Sequence, residues 1–356
     1  MHAIESPAPI KSRVSDLIGD TPLLELPVAP GSGRVLLKLE QYNPTATAKI
    51  RMARQMIDEA EAQGKLQPGG WIVESTSGNT GLGLALIAAE RGYRFTAVVD
   101  HHSSIEKLRG MQAYGAELVR VGSPEGGLAT ADRDATAERI AHEHGAYWTQ
   151  QHNNPGNANG YTALAHELHR ALGDKISTLI GAIGTGGSLC GTGRALRTSI
   201  PNLKIVGVEP VGSVIFGGTG APYHQSGTGT PAGAEIGKLI DYELIDEGIR
   251  VSDSQAFETA RYLARHHGIL VGGSAGGVIY HALKQARGQR SDSTSVVLVC
   301  DGGEKYLDTV FNDEWMYTHK LMNSSVAAEL EQILCKRTRI IQAGYASPLG
   351  PHAKSA

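Results

Sequence analysis

The chain has 356 residues, a formal net charge of -3 at pH 7 and 41% hydrophobic residues. This length is too great for one simple core and suits two α/β domains, while the near-neutral charge argues against a nucleic-acid partner. No apolar run is long enough to span a membrane, and three cysteines far apart in sequence predict a reduced protein of the cytoplasm.

Strand-like apolar runs alternate with helical patterns along most of the chain. The predicted strands are Val35–Leu39, Trp71–Val73, Phe95–Val99, Leu118–Val121, Thr178–Ile183, Ile205–Val208 and Val296–Val299. The predicted helices are Arg51–Gln63, Leu82–Arg91, Ile105–Tyr114, Ala129–His144, Ala158–Leu172, Ser254–His267 and Val278–Ala286. This alternation predicts an α/β fold of two doubly wound domains, each with a central, mostly parallel sheet covered by helices.

A loop rich in hydroxyl groups, Ser75–Gly81, stands between the strand that begins at Trp71 and the helix that begins near Leu82. Free backbone amides at a helix start, together with Ser and Thr hydroxyls, make a site for a carboxylate or a phosphate. The alternative is an ordinary helix cap, because Ser, Thr and Asn are the usual capping residues.

A glycine-rich loop, Gly184–Ser188, follows the buried strand Thr178–Ile183 and precedes a helix that contains Arg194 and Arg197. Its three glycines and two hydroxyls would let the backbone wrap closely around a phosphate. The loop is neither a Walker loop nor a GxGxxG dinucleotide fingerprint. A plain turn between strand and helix is the alternative for this loop alone.

Several short motifs, taken in chain order, resemble the cysteine synthase family of fold-type II pyridoxal-phosphate (PLP) enzymes. They are Ile18–Leu23, Lys38–Glu40, Asn43–Lys49, Glu74–Gly81, Gln150-Gln151, Asn154–Asn157, Gly184–Ser188, Val208–Pro210, Gly272–Gly276 and Asp301–Leu307. The resemblance implies a tryptophan synthase β-like fold with the active site between two domains. The smaller domain would cover residues 45–150, the larger one 11–44 plus 151–320, and a C-terminal extension 321–356.

The resemblance implies a role for each motif. Lys49 would hold PLP covalently and, once freed, act as general base on Cα, which requires a lowered pKa. Asn79 would hydrogen-bond the phenolic oxygen of the cofactor, and Ser274 would meet the pyridine nitrogen, with a helix N-cap as its alternative role. The substrate carboxylate would be held by Thr76, Ser77, Gly78, Asn79, Thr80 and Gln151. The cofactor phosphate would be held by Gly184, Thr185, Gly186, Gly187 and Ser188.

The same resemblance implies β-replacement on an O-activated L-serine, either O-acetylserine or O-phosphoserine, through an α-aminoacrylate. A sulfur nucleophile is the leading expectation. The alternatives are an amine nucleophile, which would give a precursor of 2,3-diaminopropionate, a serine/threonine dehydratase and, more remotely, a non-catalytic regulatory binder. The expected partners are small amino-acid substrates and a second copy of the chain. No metal ion is expected, because the histidines lack metal-ligand spacing.

The sequence departs from the family pattern at several places. Thr47 stands where the family usually has Ser, and Ile50 where it often has Asp. Thr230–Glu235 replaces a Gly-Ile-Gly loop that usually lines the substrate site, which leaves the leaving group and the nucleophile open. Gly126–Leu128 and Gly212–Gly217 resemble instead a branch of synthases that join an amino acid to O-phosphoserine.

Five further residues lie outside these motifs, and the sequence predicts a position or role for each of them. His152 follows Gln151 and is expected at the mouth of the site. Cys190 is expected to be a buried small hydrophobe rather than a nucleophile. Three arginines could recognise a phosphate leaving group, but surface positions are the commoner case and are expected for Arg109, Arg120 and Arg133.

Overall fold

The computed structural model describes residues 10–76, 78–101, 103–122 and 129–335. Ten strands form two sheets: β1 (Leu23–Glu25), β2 (Arg34–Leu39), β3 (Trp71–Ser75), β4 (Arg94–Val99), β5 (Glu117–Arg120), β6 (Tyr147–Trp148), β7 (Thr178–Ala182), β8 (Lys204–Pro210), β9 (Glu247–Val251) and β10 (Thr294–Val299). The larger sheet has the order β1-β2-β10-β7-β8-β9, and the smaller sheet has the order β5-β4-β3-β6. All pairings are parallel except that of β1 with β2. The predicted fold of two mostly parallel sheets is confirmed.

Helices cover both sheets. They are α1 (Lys49–Ala62), α2 (Asn79–Arg91), α3 (Ile105–Ala113), α4 (Thr130–His144), α5 (Pro155–Asn159), α6 (Thr162–Leu172), α7 (Gly187–Arg197), α8 (Asp253–His267), α9 (Gly273–Ala286), α10 (Asp313–Thr318) and α11 (Ser324–Ile333). None of those in the described residues combines the length and hydropathy that a bilayer crossing needs. The division into domains at residues 45 and 150 stays a prediction.

Strand β10 shows why the larger sheet is buried on both faces. All six of its residues are buried, and its alternate side chains belong to two separate hydrophobic cores. Val297 and Val299 pack with side chains of α8 and α9. Val296 and Leu298 pack with side chains of α6 and α7. Because successive strand residues point to opposite faces, one continuous apolar run can fill both cores.

Three strands and two helices were not predicted from the sequence, and one predicted helix is interrupted in the structure. The missed elements are β1, β6, β9, α10 and α11. Most of them are short, and β9 alternates exposed and covered residues at the edge of its sheet. The predicted helix Ala158–Leu172 breaks after Asn159, because the chain passes close to α1 there. A Cβ on Gly160 would lie 2.8 Å from the Cα of Met52.

A buried ion network joins β2, α1 and α6. The guanidinium of Arg51 binds the carboxylate of Glu40 (Nε–Oε2, 2.6 Å) and that of Glu167 (Nη1–Oε1, 2.8 Å). The ammonium of Lys38 lies 2.6 Å from Oε2 of Glu167. All four side chains are at most 8% exposed. The network therefore fixes the first turn of α1, which begins at Lys49, against the larger sheet.

The substitution Arg51→Met is expected to lower the free energy of unfolding by about 3–5 kcal/mol, because it leaves two buried carboxylates without their shared cation. Urea denaturation measures this loss. The matched control is Arg139→Met, which removes an exposed pair with Glu143 and is expected to cost less than about 1 kcal/mol. Equal losses in the two variants would contradict a stabilising role for the network.

Candidate active site

The candidate site lies where the carboxyl ends of β3, β7 and β10 meet. Segments that follow these strands contact one another directly. The side-chain amide of Asn79, after β3, donates to Oδ2 of Asp301, after β10 (2.8 Å). The amide of Ala48, just ahead of α1, donates to the carbonyl of Cys300 (2.8 Å). Parallel α/β sheets bind ligands at this edge.

Lys49 is the first residue of α1 and sits at the centre of these contacts. Its backbone amide donates to the hydroxyl of Thr47 (3.2 Å). Thr47 stands where the family usually has Ser, and it keeps the hydroxyl that accepts this hydrogen bond. Burial lowers the pKa of Lys49, although the nearby Cys300 and Asp301 act in the opposite direction. A lysine with a lowered pKa has the unprotonated amine that a nucleophile or general base requires.

The backbone just ahead of Lys49 is strained and is held by a second lysine. Thr45 and Ala46 have positive φ angles of 67° and 51°, which non-glycine residues rarely adopt. The ammonium of Lys305 donates to both of their carbonyl groups, at 2.8 and 2.9 Å. Such strain persists only where the surroundings impose it. Lys305 belongs to a motif noted in the sequence, but only the structure gives it this positioning role.

The loop between β3 and α2 is held together by hydrogen bonds of its own hydroxyl groups. The hydroxyl oxygen of Thr76 accepts hydrogen bonds from the amides of Gly78 (3.0 Å) and Gly81 (3.1 Å). With both acceptor positions used, its O–H is left to donate. Thr80 donates to Oε1 of Gln151 (2.7 Å), so the structure brings these predicted residues together. Ser77 lies outside the described residues. Their role toward a substrate stays a prediction.

Asn79 is fixed at both ends of its side-chain amide. Its Nδ2 donates to Asp301, and its Oδ1 accepts from Lys305 (3.1 Å). Asp301 Oδ2 also accepts from the hydroxyl of Tyr306 (2.6 Å). An amide nitrogen carries two N–H groups, so one remains for the predicted contact with the cofactor. Asp301 and Tyr306 had no role in the sequence analysis, because their partner Asn79 is more than 200 positions away.

The glycine loop Gly184–Ser188 forms an anion cradle at the start of α7. Gly186, with a φ of 86°, precedes the helix, and Thr185 and Ser188 are buried. Within the described part of the chain, the backbone amides of Thr185, Gly186 and Ser188 have no hydrogen-bond partner. Unpaired amides at a helix N-terminus suit a phosphate. The side chain of Asn157 donates to the hydroxyl of Thr185 (3.1 Å) and steadies the loop.

Ser274 is the second residue of α9 and is buried. The residue in the N-cap position is Gly272, so the alternative role of Ser274 as N-cap is wrong. Gly272 is required there because a Cβ would lie 2.0 Å from Oδ1 of Asp301. The contact of Ser274 with a ring nitrogen stays a prediction.

The residues beside the phosphate cradle differ from those expected. Gly229 donates its amide, and Thr228 its hydroxyl, to the carbonyl of Ile183, both at 2.7 Å. A Cβ on Gly184 would lie 3.2 Å from the carbonyl oxygen of Gly227. In the predicted substrate loop Thr230–Glu235, by contrast, only Thr230 is buried. The closely spaced glycines and threonines at 227–230 were the signal that could have identified the packed segment.

Three further predictions can be compared with the structure. Cys190 is buried, as expected. Arg109 and Arg120 are exposed, but the expectation of a surface position for Arg133 is wrong. Its side chain is 8% exposed, and Nη1 lies 3.2 Å from Oδ2 of Asp100. Burial lowers the pKa of His152; the charge of Asp134 opposes this shift, and the charges of Lys49 and Arg133 add to it. The branch motif Gly126–Leu128 lies outside the described residues.

Glu74 is a buried carboxyl behind the carboxylate loop. Its Oε2 accepts from the hydroxyl of Thr149 and from the backbone amide of Gln151 (3.2 Å). Burial raises the pKa of Glu74 to about 7, although these hydrogen bonds favour the charged form. Gln151 in turn donates to the carbonyl of Ser75 (2.7 Å). Glu74 therefore supports Gln151 from the interior.

Comparison with known proteins finds relatives along most of the chain. Residues 14–301 match the family described as pyridoxal-phosphate dependent enzyme. A putative cysteine synthase of Sinorhizobium fredii is 47% identical over 333 residues, which cover 93% of this chain and 99% of that protein. An O-ureido-L-serine synthase structure has a TM-score of 0.79 and 31% identity, and covers 87% of this chain and 100% of its own. The O-acetylserine dependent cystathionine β-synthase from Helicobacter pylori has a TM-score of 0.78 and 30% identity, with 85% and 99% covered.

The donor groups at the site fit pyridoxal phosphate. The partnerless amides of the Gly184–Ser188 loop match its phosphate, and the amine of Lys49, with its lowered pKa, can condense with its aldehyde. Asn79 and Ser274 offer an amide and a hydroxyl for its ring substituents. Within the described residues, no group of three or more His, Cys, Asp or Glu side chains could hold a metal ion.

The raised pKa of Glu74 predicts a pH-dependent stability difference between the wild type and Glu74→Gln. The folded protein binds a proton at Glu74 up to about pH 7, whereas the unfolded chain releases it near pH 4.5. Stability of the wild type relative to Glu74→Gln is therefore expected to fall as pH rises from about 4.5 to 7, and then to level off. Urea denaturation at pH 5, 6, 7 and 8 measures this, with the exposed Glu143→Gln as control. A constant difference across that range would show that Glu74 does not titrate there.

Proposed function

We propose that this chain, which belongs to the pyridoxal-phosphate dependent enzyme family, replaces the β-substituent of an O-activated L-serine with a sulfur nucleophile. The chain is a PLP-dependent transferase of the 2.5.1 class. The observation that carries the proposal is the position of Lys49. Burial lowers the pKa of its amine, and the nearby Asp301 binds Asn79 of the helix that follows the proposed carboxylate loop. The likeness to a putative cysteine synthase at 47% identity supports the sulfur nucleophile.

The chemistry divides between the cofactor and the chain. Pyridoxal phosphate, when bound, supplies an electron sink for the charge that develops at Cα. Thr76, Thr80 and Gln151 would hold the substrate carboxylate and orient the Cα–H bond toward Lys49. The amine of Lys49 would take the Cα proton as acetate or phosphate departs from Cβ, and would return a proton to Cα after the nucleophile has added.

The surroundings of Lys49 explain how one lysine can first accept a proton and then donate it. Burial lowers the pKa of Lys49 and so favours the unprotonated amine, whereas the charge of Asp301 favours the protonated form. The two influences bring the protonated and unprotonated forms closer in free energy than they are in water. A group that first accepts and then donates a proton works best when neither form is strongly preferred.

A non-sulfur nucleophile, such as an amine, is the second candidate. It is supported by the likeness to an O-ureido-L-serine synthase, which is named for a sulfur-free product. It is also consistent with the replaced loop Thr230–Glu235, whose exposed part differs from the usual Gly-Ile-Gly. We further propose a cytoplasmic homodimer, and light scattering of the purified chain is expected to give twice the monomer mass of 37.6 kDa.

The proposed reaction is tested by a screen of substrates and acceptors. O-acetylserine and O-phosphoserine are supplied separately, each with sulfide, thiosulfate or an amino acid, and the products are read by mass. We expect a new β-substituted alanine with a sulfur acceptor and no product from L-serine, because hydroxide is a poor leaving group. Release of a keto acid and ammonia without acceptor incorporation would instead identify a dehydratase. No product from any combination would refute β-replacement.

Lys49→Ala is expected to lower turnover by roughly 10²–10⁴-fold or more, because it removes both the cofactor attachment and the general base. Circular dichroism is expected to show a folded variant. Borohydride reduction of the wild type, followed by peptide mapping, is expected to label Lys49. Lys65→Ala, at an exposed position, is the control and should retain both turnover and label. A label on another lysine would overturn the assignment of Lys49.

A further inference from the structure

A second buried lysine, Lys107 of α3, lies at the boundary between the small-sheet and large-sheet segments. Lys107 is only 2% exposed to solvent. Its side chain runs beneath the carboxylate loop, where a Cβ on Gly78 would lie 2.4 Å from Cδ of Lys107. Its ammonium lies 3.2 Å from the hydroxyl of Tyr306 and 3.4 Å from that of Ser226. Both of these residues follow β8 in the chain. Lys107 therefore lies directly against the loop that is proposed to hold the substrate carboxylate.

Among the described residues, the ammonium of Lys107 forms no ion pair with a carboxylate. Within the described residues, its hydrogen-bond acceptors are the two neutral hydroxyls, both at long distances. Burial lowers the pKa of Lys107, and the charges of Asp301 and Glu106 oppose this shift. Oδ2 of Asp301 already accepts hydrogen bonds from Asn79 and Tyr306. An ammonium carries three N–H donors, and burying one without an anion is costly.

Three other buried cations near the site have closer oxygen partners than Lys107 has. Lys38 and Arg51 each form ion pairs with carboxylates. Lys305 donates to three oxygen atoms between 2.8 and 3.1 Å. Lys49 is assigned to the cofactor. Among the described residues, Lys107 thus differs from Lys38 and Lys305 in having only long hydrogen bonds, both to neutral hydroxyls.

We infer that Lys107, assisted by Ser226, binds an oxyanion that a substrate carries in addition to its α-carboxylate. The inference deepens and rests on the proposed β-replacement. The oxyanion has two possible sources: the phosphate of O-phosphoserine, or an anionic group on the incoming nucleophile. The α-carboxylate has its own donors in the Thr76–Thr80 loop and Gln151, which leaves Lys107 for the second anion. Lys107 would then determine which substrates are used rapidly.

The test compares Lys107→Met with the wild type in three reactions. These are O-acetylserine with 2-mercaptoethanol, O-phosphoserine with 2-mercaptoethanol, and O-acetylserine with thiosulfate. A charged hydrogen bond contributes about 1.5–3 kcal/mol, so we expect kcat/KM to fall about 10- to 100-fold in the reaction that carries the recognised oxyanion. The reaction without an additional anion is expected to change less than about threefold, within the scatter of such comparisons.

Two further variants separate recognition from structure. Lys107→Arg keeps the charge and is expected to retain most of the selectivity, whereas Lys175→Met removes an exposed lysine and should change nothing. Ser226→Ala is expected to raise KM for the same anionic substrate more than it lowers kcat, and it provides the test if Lys107→Met does not fold. Inorganic phosphate is expected to inhibit the wild type competitively and Lys107→Met at least tenfold more weakly if phosphate is the anion.

The outcomes distinguish the inference from the proposed function. Equal losses in all three reactions would place Lys107 at the α-carboxylate or in a structural role and would overturn the inference, while β-replacement itself would stand. No loss in any reaction would overturn it too. A selective loss with O-phosphoserine assigns the anion to the leaving group, and a selective loss with thiosulfate assigns it to the nucleophile. If the wild type makes no product in any reaction, both proposals fail.

Discussion

The buried pairing of Arg51 with Glu40 and Glu167 is the constraint on which the site depends. It fixes the first turn of α1 against the larger sheet, where the side chains are too buried for water to replace a lost partner. Just ahead of this turn, the amide of Ala48 donates to the carbonyl of Cys300, which follows β10. Lys49 lies between these two attachments. A reactive lysine requires such fixed surroundings, because its long side chain would otherwise sample many rotamers and lose the burial that lowers its pKa.

The site concentrates three lysines around one carboxylate. Asp301 is linked through hydrogen bonds to Asn79 and Tyr306, and through charge to Lys49, Lys107 and Lys305. Burial lowers the pKa of each lysine, to about 8 for Lys305, while Asp301 opposes the shift. An excess of buried positive charge prepares the site for anions. Cofactor phosphate, substrate carboxylate and a further oxyanion are the anions that the proposed chemistry would bring there.

The groups expected to hold the cofactor and the segment that contains Thr228 and Thr230 come from different parts of the fold. Lys49, Asn79 and the Gly184–Ser188 loop follow strand ends or open helices, where the backbone geometry is set by the sheets. Thr228 and Thr230 belong to a long segment without regular structure between β8 and β9. Loops on a rigid framework can change without loss of the fold. This separation explains why relatives named for different products share the same architecture.

The sequence by itself determined the α/β class, most strands and helices, the family and the place of Lys49. These follow from local patterns: apolar runs of strand length, glycine loops at helix starts and motifs in a fixed order. Only the tertiary structure decided which side chains meet. Asn79 and Asp301 are 222 positions apart and Lys107 and Ser226 are 119 apart, and the burial of Arg133 and the break at Gly160 also depend on distant packing. No spacing rule links such pairs, because strand order and helix packing bring them together only after the whole chain has folded.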